Sequence, residues 1–282
     1  MRLWIAAMLA LIASACSPLA LFNTVAPKDS LTTPATRAIA YGDGPRQKLD
    51  IYPAAPEAKK PVIVFLYGGA WNNGRRQDYG WAARALAAKG FVVVVPDYRL
   101  APADPFPAFV DDATAATAWA HANARRFGGD PDRIVLMGHS AGAHIAMMVA
   151  LDRRFLDRAG VPSSTIRGVI GLAGPYKFDP NEEGVLRDAF GRFPEPDATQ
   201  PVTFVRADAP PALLLHGDAD TRVRLRNSER LDRELRAASA SAELKVYPGV
   251  DHTGILLALS KPLRGRAPTL EDATAFATKV TR

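Results

Sequence analysis

The chain has 282 residues, 48% hydrophobic and 23% charged, with a formal net charge of +6. That balance suits a globular protein with a sizeable core and excludes a disordered, low-hydrophobicity chain. Basic residues are scattered among 29 acids without interleaved aromatics, which speaks against nucleic-acid binding, and a single cysteine excludes an internal disulfide.

The chain opens with MRLWIAAMLALIASACSPLALFNTVAP, in which Arg2 precedes an apolar run from Leu3 to about Ala13. A membrane span needs about 20 residues, so this shorter run reads as a signal peptide. Ser14-Ala15-Cys16, after Ile12-Ala13, resembles a bacterial lipobox, with Ala13 where leucine is the usual choice. The resemblance implies an exported protein whose membrane partner is reached through lipid on Cys16. Ser17, in place of an acid after that cysteine, points to the periplasmic side of the outer membrane, and simple cleavage of the signal is the alternative. Residues 17–36, punctuated by Pro18, Pro27 and Pro34, read as a tether. One domain is expected over residues 37–282.

From Ala38 onward strands and helices alternate. RAIAYG and QKLDIYPA suit a short antiparallel pair, and KPVIVFLYGGAW is a buried strand ending in glycines. YGWAARALAAKG has helical spacing and a terminal glycine, and FVVVVPDYRLAP is a second buried strand. FVDDATAATAWAHANARRFGG reads as a helix with acids at its start and arginines at its end. DRIVLMG leads into GHSAGAH and a further helix; IRGVIGLAG and PALLLHG are strands. RNSERLDRELRAASA, AELKVYPG and TLEDATAFATKV then read as helix, strand and helix. Continuous apolar strands between amphipathic helices predict an α/β fold, a mostly parallel sheet covered on both faces. In such sheets ligands bind at the carboxyl ends of the strands.

Ser140 lies at such an end, between a strand and a helix, and Gly138, Ala141 and Gly142 keep bulk away from the turn. A sharp turn of this kind exposes the hydroxyl and presents the next N–H, on Ala141, to a developing oxyanion. The hydroxyl needs a base, and the base an orienting acid. Of the five histidines, His252 follows the last strand and is the best base. His139 is expected to be turned away by the elbow, His144 to pack on the sheet and His121 to lie on the outside of a helix. His216 ends a strand. Asp220 is preferred as the acid, with Asp218 supporting the turn and Asp179 third. Gly68 and Gly69 free the backbone after the third strand, where N–H groups could complete an oxyanion hole. The alternating Arg222, Arg224 and Arg226 read as a solvated face, with weak attraction to anionic surfaces as the alternative.

The motifs YGGAW, PDYRLAP, GHSAGAH, PPALLLHGDAD and DHTG, in that order over residues 37–280, resemble the α/β-hydrolase serine esterases. The similarity is greatest to the branch of hormone-sensitive-lipase-like, kynurenine-formamidase-like and prenylcysteine-methylesterase-like enzymes. It implies Ser140 as nucleophile, Asp220 as acid and His252 as base, with an oxyanion hole from the N–H groups of Gly69, Ala70 and Ala141. Tyr67 stands where this family usually has histidine; Tyr67 and Trp71 are candidate pocket residues. Asp97, Arg99 and Asp112 match family positions that look structural. The expected activity is hydrolysis of carboxylic esters through an acyl-enzyme, without metal or cofactor. A formamide or amide hydrolase using the same residues is the first alternative, and a non-catalytic binding lipoprotein on this scaffold is another. The one sizeable insertion, residues 177–208, has a single helix-like piece and reads as a small cap, which favours short acyl groups.

Overall fold

A computed structural model describes residues 18–282. The proposed signal sequence and Cys16 lie outside the described residues. Eight strands form one sheet: β1 (Thr36–Ala40), β2 (Lys48–Tyr52), β3 (Lys60–Leu66), β4 (Val92–Pro96), β5 (Gly129–His139), β6 (Ile166–Leu172), β7 (Ala212–Gly217) and β8 (Ala242–Tyr247). Their spatial order is β1-β2-β4-β3-β5-β6-β7-β8. The pairings β1–β2 and β2–β4 are antiparallel; every pairing from β4–β3 to β7–β8 is parallel. The expected mostly parallel α/β sheet is thus the observed one.

Nine α-helices accompany it among the described residues: α1 (Pro18–Val25), α2 (Gly80–Ala88), α3 (Ala108–Asn123), α4 (Ala141–Leu151), α5 (Arg153–Arg158), α6 (Val185–Phe190), α7 (Arg226–Ala237), α8 (Gly254–Leu257) and α9 (Thr269–Val280). None is long and apolar enough to cross a membrane. Val62 to Leu66 and Val92 to Val95 are buried on both faces, as uninterrupted apolar strands require. β8, at the edge, is exposed or partly covered until Tyr247, which is buried. Amphipathic α7 buries Leu231 and Leu235, one turn apart, and leaves its charges outside.

Residues 18–36 differ from the expected tether. Pro18–Val25 is helical and docked: Phe22 meets Trp81 edge-on, with ring centroids 5.2 Å apart. Asn23 donates to the Gln77 carbonyl and accepts the Trp81 N–H. Downstream, Asp29 pairs with Arg264 at 2.8 Å. Pro18 does not oppose the helix, because a first-turn residue has no intrahelical N–H bond to lose. Eight residues are too few for a visible period, and so short a helix depends on tertiary contacts that a sequence does not display.

A buried ionic cluster fastens the chain after β3 to β2 and β4. Asp50 on β2 and Asp97 after β4 are nearly sealed from solvent. The Arg76 guanidinium joins them, with Nε 2.9 Å from Asp50 Oδ1 and Nη1 on Asp97 Oδ2. The Arg76 backbone N–H also donates to Asp97. Removing the cation would leave both carboxylates buried, although Arg37 still reaches Asp50 at 2.7 Å. Arg76→Met is therefore expected to lower stability by about 3–5 kcal/mol, read as a shifted urea midpoint.

Candidate active site

Ser140 sits at the end of β5 in a backbone conformation that side chains rarely adopt, φ 55° and ψ −122°. Two glycines make the turn possible. A Cβ on Gly142 would stand 2.1 Å from the Leu66 carbonyl oxygen, and one on Gly138 would stand 2.1 Å from the Gly142 oxygen. The Gly-x-Ser-x-Gly spacing is thus a packing requirement, since α4 approaches β3 backbone to backbone.

The chain ends of β7 and β8 supply the partners. His252 Nε2 lies 2.9 Å from Ser140 Oγ, and His252 Nδ1 lies 2.7 Å from Asp220 Oδ2. The other Asp220 oxygen accepts the N–H groups of Arg222 and Val223, each at 2.9 Å. Burial pushes this carboxyl up, but hydrogen bonds from His216, His252 and Val223 outweigh it and hold the group well below the usual carboxylate range. Asp218 is instead exposed and accepts the Gly249 N–H at 2.7 Å, so it braces the turn after β8. Asp179 lies in the insertion, at the cleft lining, where it accepts the Asn181 N–H at 2.9 Å.

Gly69, Ala70 and Trp71 follow β3 with φ of 140°, 50° and 58°, three left-handed residues in succession. The Asn72 and Asn73 N–H groups close this loop onto the Gly69 carbonyl, so the Gly69 and Ala70 N–H groups are not used in the turn. Ala141 opens α4 directly after Ser140, where the first amides of a helix have no intrahelical partner and the dipole is positive. Gly69, Ala70 and Ser140, the residue before Ala141, border a cleft of about 870 Å³ at the carboxyl end of the sheet. Its apolar lining includes Leu19, Trp71, Phe178, Val185 and Leu186. Among the described residues, no group of three or more His, Cys, Asp or Glu could hold a metal ion.

Two of the remaining histidines, His139 and His144, depart from expectation. His139 is not turned away: its Nε2–H donates to the His252 carbonyl at 2.9 Å, and the two rings lie 4.8 Å apart. Burial and the neighbouring His252 push His139 down to about 3, so it stays a neutral brace for the His252 loop. A Cβ on Gly68 would stand 2.9 Å from His139 Nδ1, so the loop glycine and this ring fit each other. His144 faces the insertion, not the sheet. It accepts the Trp71 indole N–H on Nδ1 at 3.3 Å and donates from Nε2 to the Thr199 carbonyl at 2.8 Å. Burial lowers it to about 4. His216 is fully buried between Ser228 and Val223, with Nε2 3.4 Å from Asp220. His121 is half-buried on α3, with Nδ1 3.0 Å from the Pro131 carbonyl oxygen.

Tyr67 is not a pocket residue. It is fully buried, stacked between Tyr79 and Tyr98, and its hydroxyl donates to Asp97 while accepting from Arg46. The phenol therefore anchors the base of the loop from beneath. Trp71 does line the cleft. Arg222, Arg224 and Arg226, read in sequence as a solvated face, line it as well.

The BD-FAE family model matches residues 49–235. Isoprenylcysteine alpha-carbonyl methylesterase ICME of Arabidopsis thaliana is 34% identical over 291 residues, covering 95% of this chain and 68% of that protein. Esterase LipC of Mycobacterium tuberculosis is 34% identical over 238 residues, covering 77% of this chain and 59% of its own length. The structure of an esterase from Thermogutta terrifontis with butyrate bound superposes with a TM-score of 0.70 at 25% identity, covering 86% of this chain and 92% of that one. The chain thus spans about two thirds or less of the two curated relatives. With the sheet order, the elbow at Ser140 and these similarities together, the chain belongs to the BD-FAE family and is an α/β-hydrolase carboxylesterase.

Proposed function

We propose that the chain is a serine esterase that hydrolyses short-acyl carboxylic esters through an acyl-enzyme. The observation that carries this reading is the continuous relay Ser140–His252–Asp220, with contacts of 2.9 and 2.7 Å, beside backbone donors at one end of the cleft. Ser140 Oγ attacks the ester carbonyl carbon as His252 Nε2 takes its proton. Asp220 stabilises the imidazolium, and the N–H groups of Gly69, Ala70 and Ala141 receive the oxyanion. Collapse breaks the carbon–oxygen bond to the alcohol, which leaves with the proton from His252. Water then adds to the acyl-enzyme by the same route and releases the acid and free Ser140.

Single replacement of Ser140 or His252 by Ala is expected to lower kcat by roughly four to six orders of magnitude, and Asp220→Ala by somewhat less. Asp218→Ala is expected to cost far less. A fluorophosphonate probe should label the parent chain and leave Ser140→Ala unlabelled, with steady-state kinetics ranking the two aspartates. The opposite ranking of Asp218 and Asp220 would remove Asp220 from the relay.

The short-acyl preference is supported by the modest insertion. It brings Phe178 and, from α6, Val185 and Leu186 to the cleft, while its two single turns of 3-10 helix, Pro196–Thr199 and Pro201–Phe204, lie outside the lining. The Thermogutta terrifontis esterase similar to this chain was solved with a four-carbon acid, butyrate. Each covered methylene contributes about 0.8 kcal/mol, so chain length helps only while the wall continues. Across a series from acetyl to palmitoyl esters, kcat/KM is expected to peak at short chains. A steady rise to palmitoyl would refute this preference.

The location we propose is the cell envelope, with Cys16 lipidated, on the strength of the apolar run and the lipobox-like Ser14-Ala15-Cys16. Intact mass of the mature chain should show added acyl groups that Cys16→Ser removes. An unlipidated mature chain would rule the anchor out.

A further inference from the structure

Three arginines at the cleft have no role in the reaction just described. Arg222, Arg224 and Arg226 are exposed, line the cleft of Ser140 and fall within five residues of one another. Among the described residues, none of their guanidinium groups has an ion pair or hydrogen bond; the Arg222 bond to Asp220 is made by its backbone N–H. Most other arginines near the sheet are tied down, as Arg76, Arg99 and Arg133 are by carboxylates.

Stability does not explain this placement. Like charges so close repel, and α7 begins at Arg226, so the positive end of its dipole adds to their field. Glu229 is the acid in that first turn, and it does not pair with them. The acids of the lining are Asp78, paired with Arg75, and Asp179 and Glu182 of the insertion, and none forms an ion pair with the arginine segment. An unpaired guanidinium presents a planar fork of donors suited to carboxylate or phosphate oxygens.

The segment also has a definite position relative to the reaction. Asp220 holds His252 with one oxygen and the N–H groups of Arg222 and Val223 with the other. The arginines thus begin at the Asp220 end of the relay and share the cleft lining with His252, the group that must reach the leaving oxygen. Resting on the esterase reading above, we propose that Arg222, Arg224 and Arg226 form an anion subsite selecting esters whose alcohol part carries a carboxylate or phosphate.

The test compares two matched pairs of substrates: 4-acetoxybutanoate with its neutral amide, and 1-acetylglycerol 3-phosphate with 1-acetylglycerol. The readout is the anionic-to-neutral ratio of kcat/KM within each pair, which cancels intrinsic acyl reactivity. In at least one pair this ratio is expected to fall about tenfold in the triple variant R222Q/R224Q/R226Q relative to the parent, the equivalent of one charge-assisted contact. It should fall likewise as salt is raised from about 0.05 to about 0.5 M. Arg230→Gln, on the same helix but off the cleft, should leave the ratio as it is. Whichever pair responds identifies the oxyanion. Ratios equal in parent and triple variant for both pairs, while all four esters are cleaved, would overturn the subsite alone. Failure of the parent to cleave any of the four would overturn both the subsite and the esterase reading beneath it.

Discussion

The near-contact of α4 with β3 is the constraint on which the head of this molecule depends. With no side chain at Gly142, the helix backbone settles against the carbonyls of Leu66 and Tyr67. Gly138 lets the strand turn back on the helix within the same few residues. Between them Ser140 is left in a conformation costing about 1–3 kcal/mol, which persists only because both flanks are fixed. The buried sheet provides that fixity: β5 is paired on both sides over its final residues, to β3 and to β6. A strained serine is thus a property of the whole sheet, carried at its edge toward solvent.

Around that point the chain uses uncharged imidazoles as struts. His139 ties the His252 loop to the end of β5, and His144 connects the Trp71 loop to the insertion through Thr199. Both are driven toward the neutral form by burial; His144 donates at one nitrogen and accepts at the other, while His139 donates from Nε2. Tyr67 does comparable work from below, joining the glycine loop to the Asp97–Arg76 cluster. The three segments that approach Ser140 come from distant parts of the chain, and these polar bridges set their spacing.

The strands and most helices were legible because their signals are local: unbroken β-branched runs, helical spacing, terminal glycines. Ser140, Asp220 and His252 were legible for a related reason, since each follows a strand and the parallel sheet gathers strand ends on one edge. What escaped was the direction of side chains. Whether His139 points away from or across to His252, or Tyr67 into the cleft or the core, depends on turn geometry and on neighbours remote in sequence. In sequence the arginines at 222, 224 and 226 resemble a solvated face, because alternation in a polar stretch looks the same at a cleft as on open surface. Helix α1 escaped because its stability resides in Trp81 and Gln77, more than 50 positions away in sequence.

That docked helix changes what the N-terminal segment is. Leu19 belongs to the lining of the cleft, and Asn23 is bonded beside the strand-to-helix passage that carries Asp78 and Tyr79. A chain trimmed back to residue 37, as one would trim a mere leash, would have an opened cleft wall, a bare Trp81 edge and an Arg264 without its carboxylate. Whatever is joined ahead of residue 18, whether a purification handle or a surface support, is joined to a part of the substrate chamber. Immobilisation through that end would act on the chamber's wall, to which α9 contributes no residue.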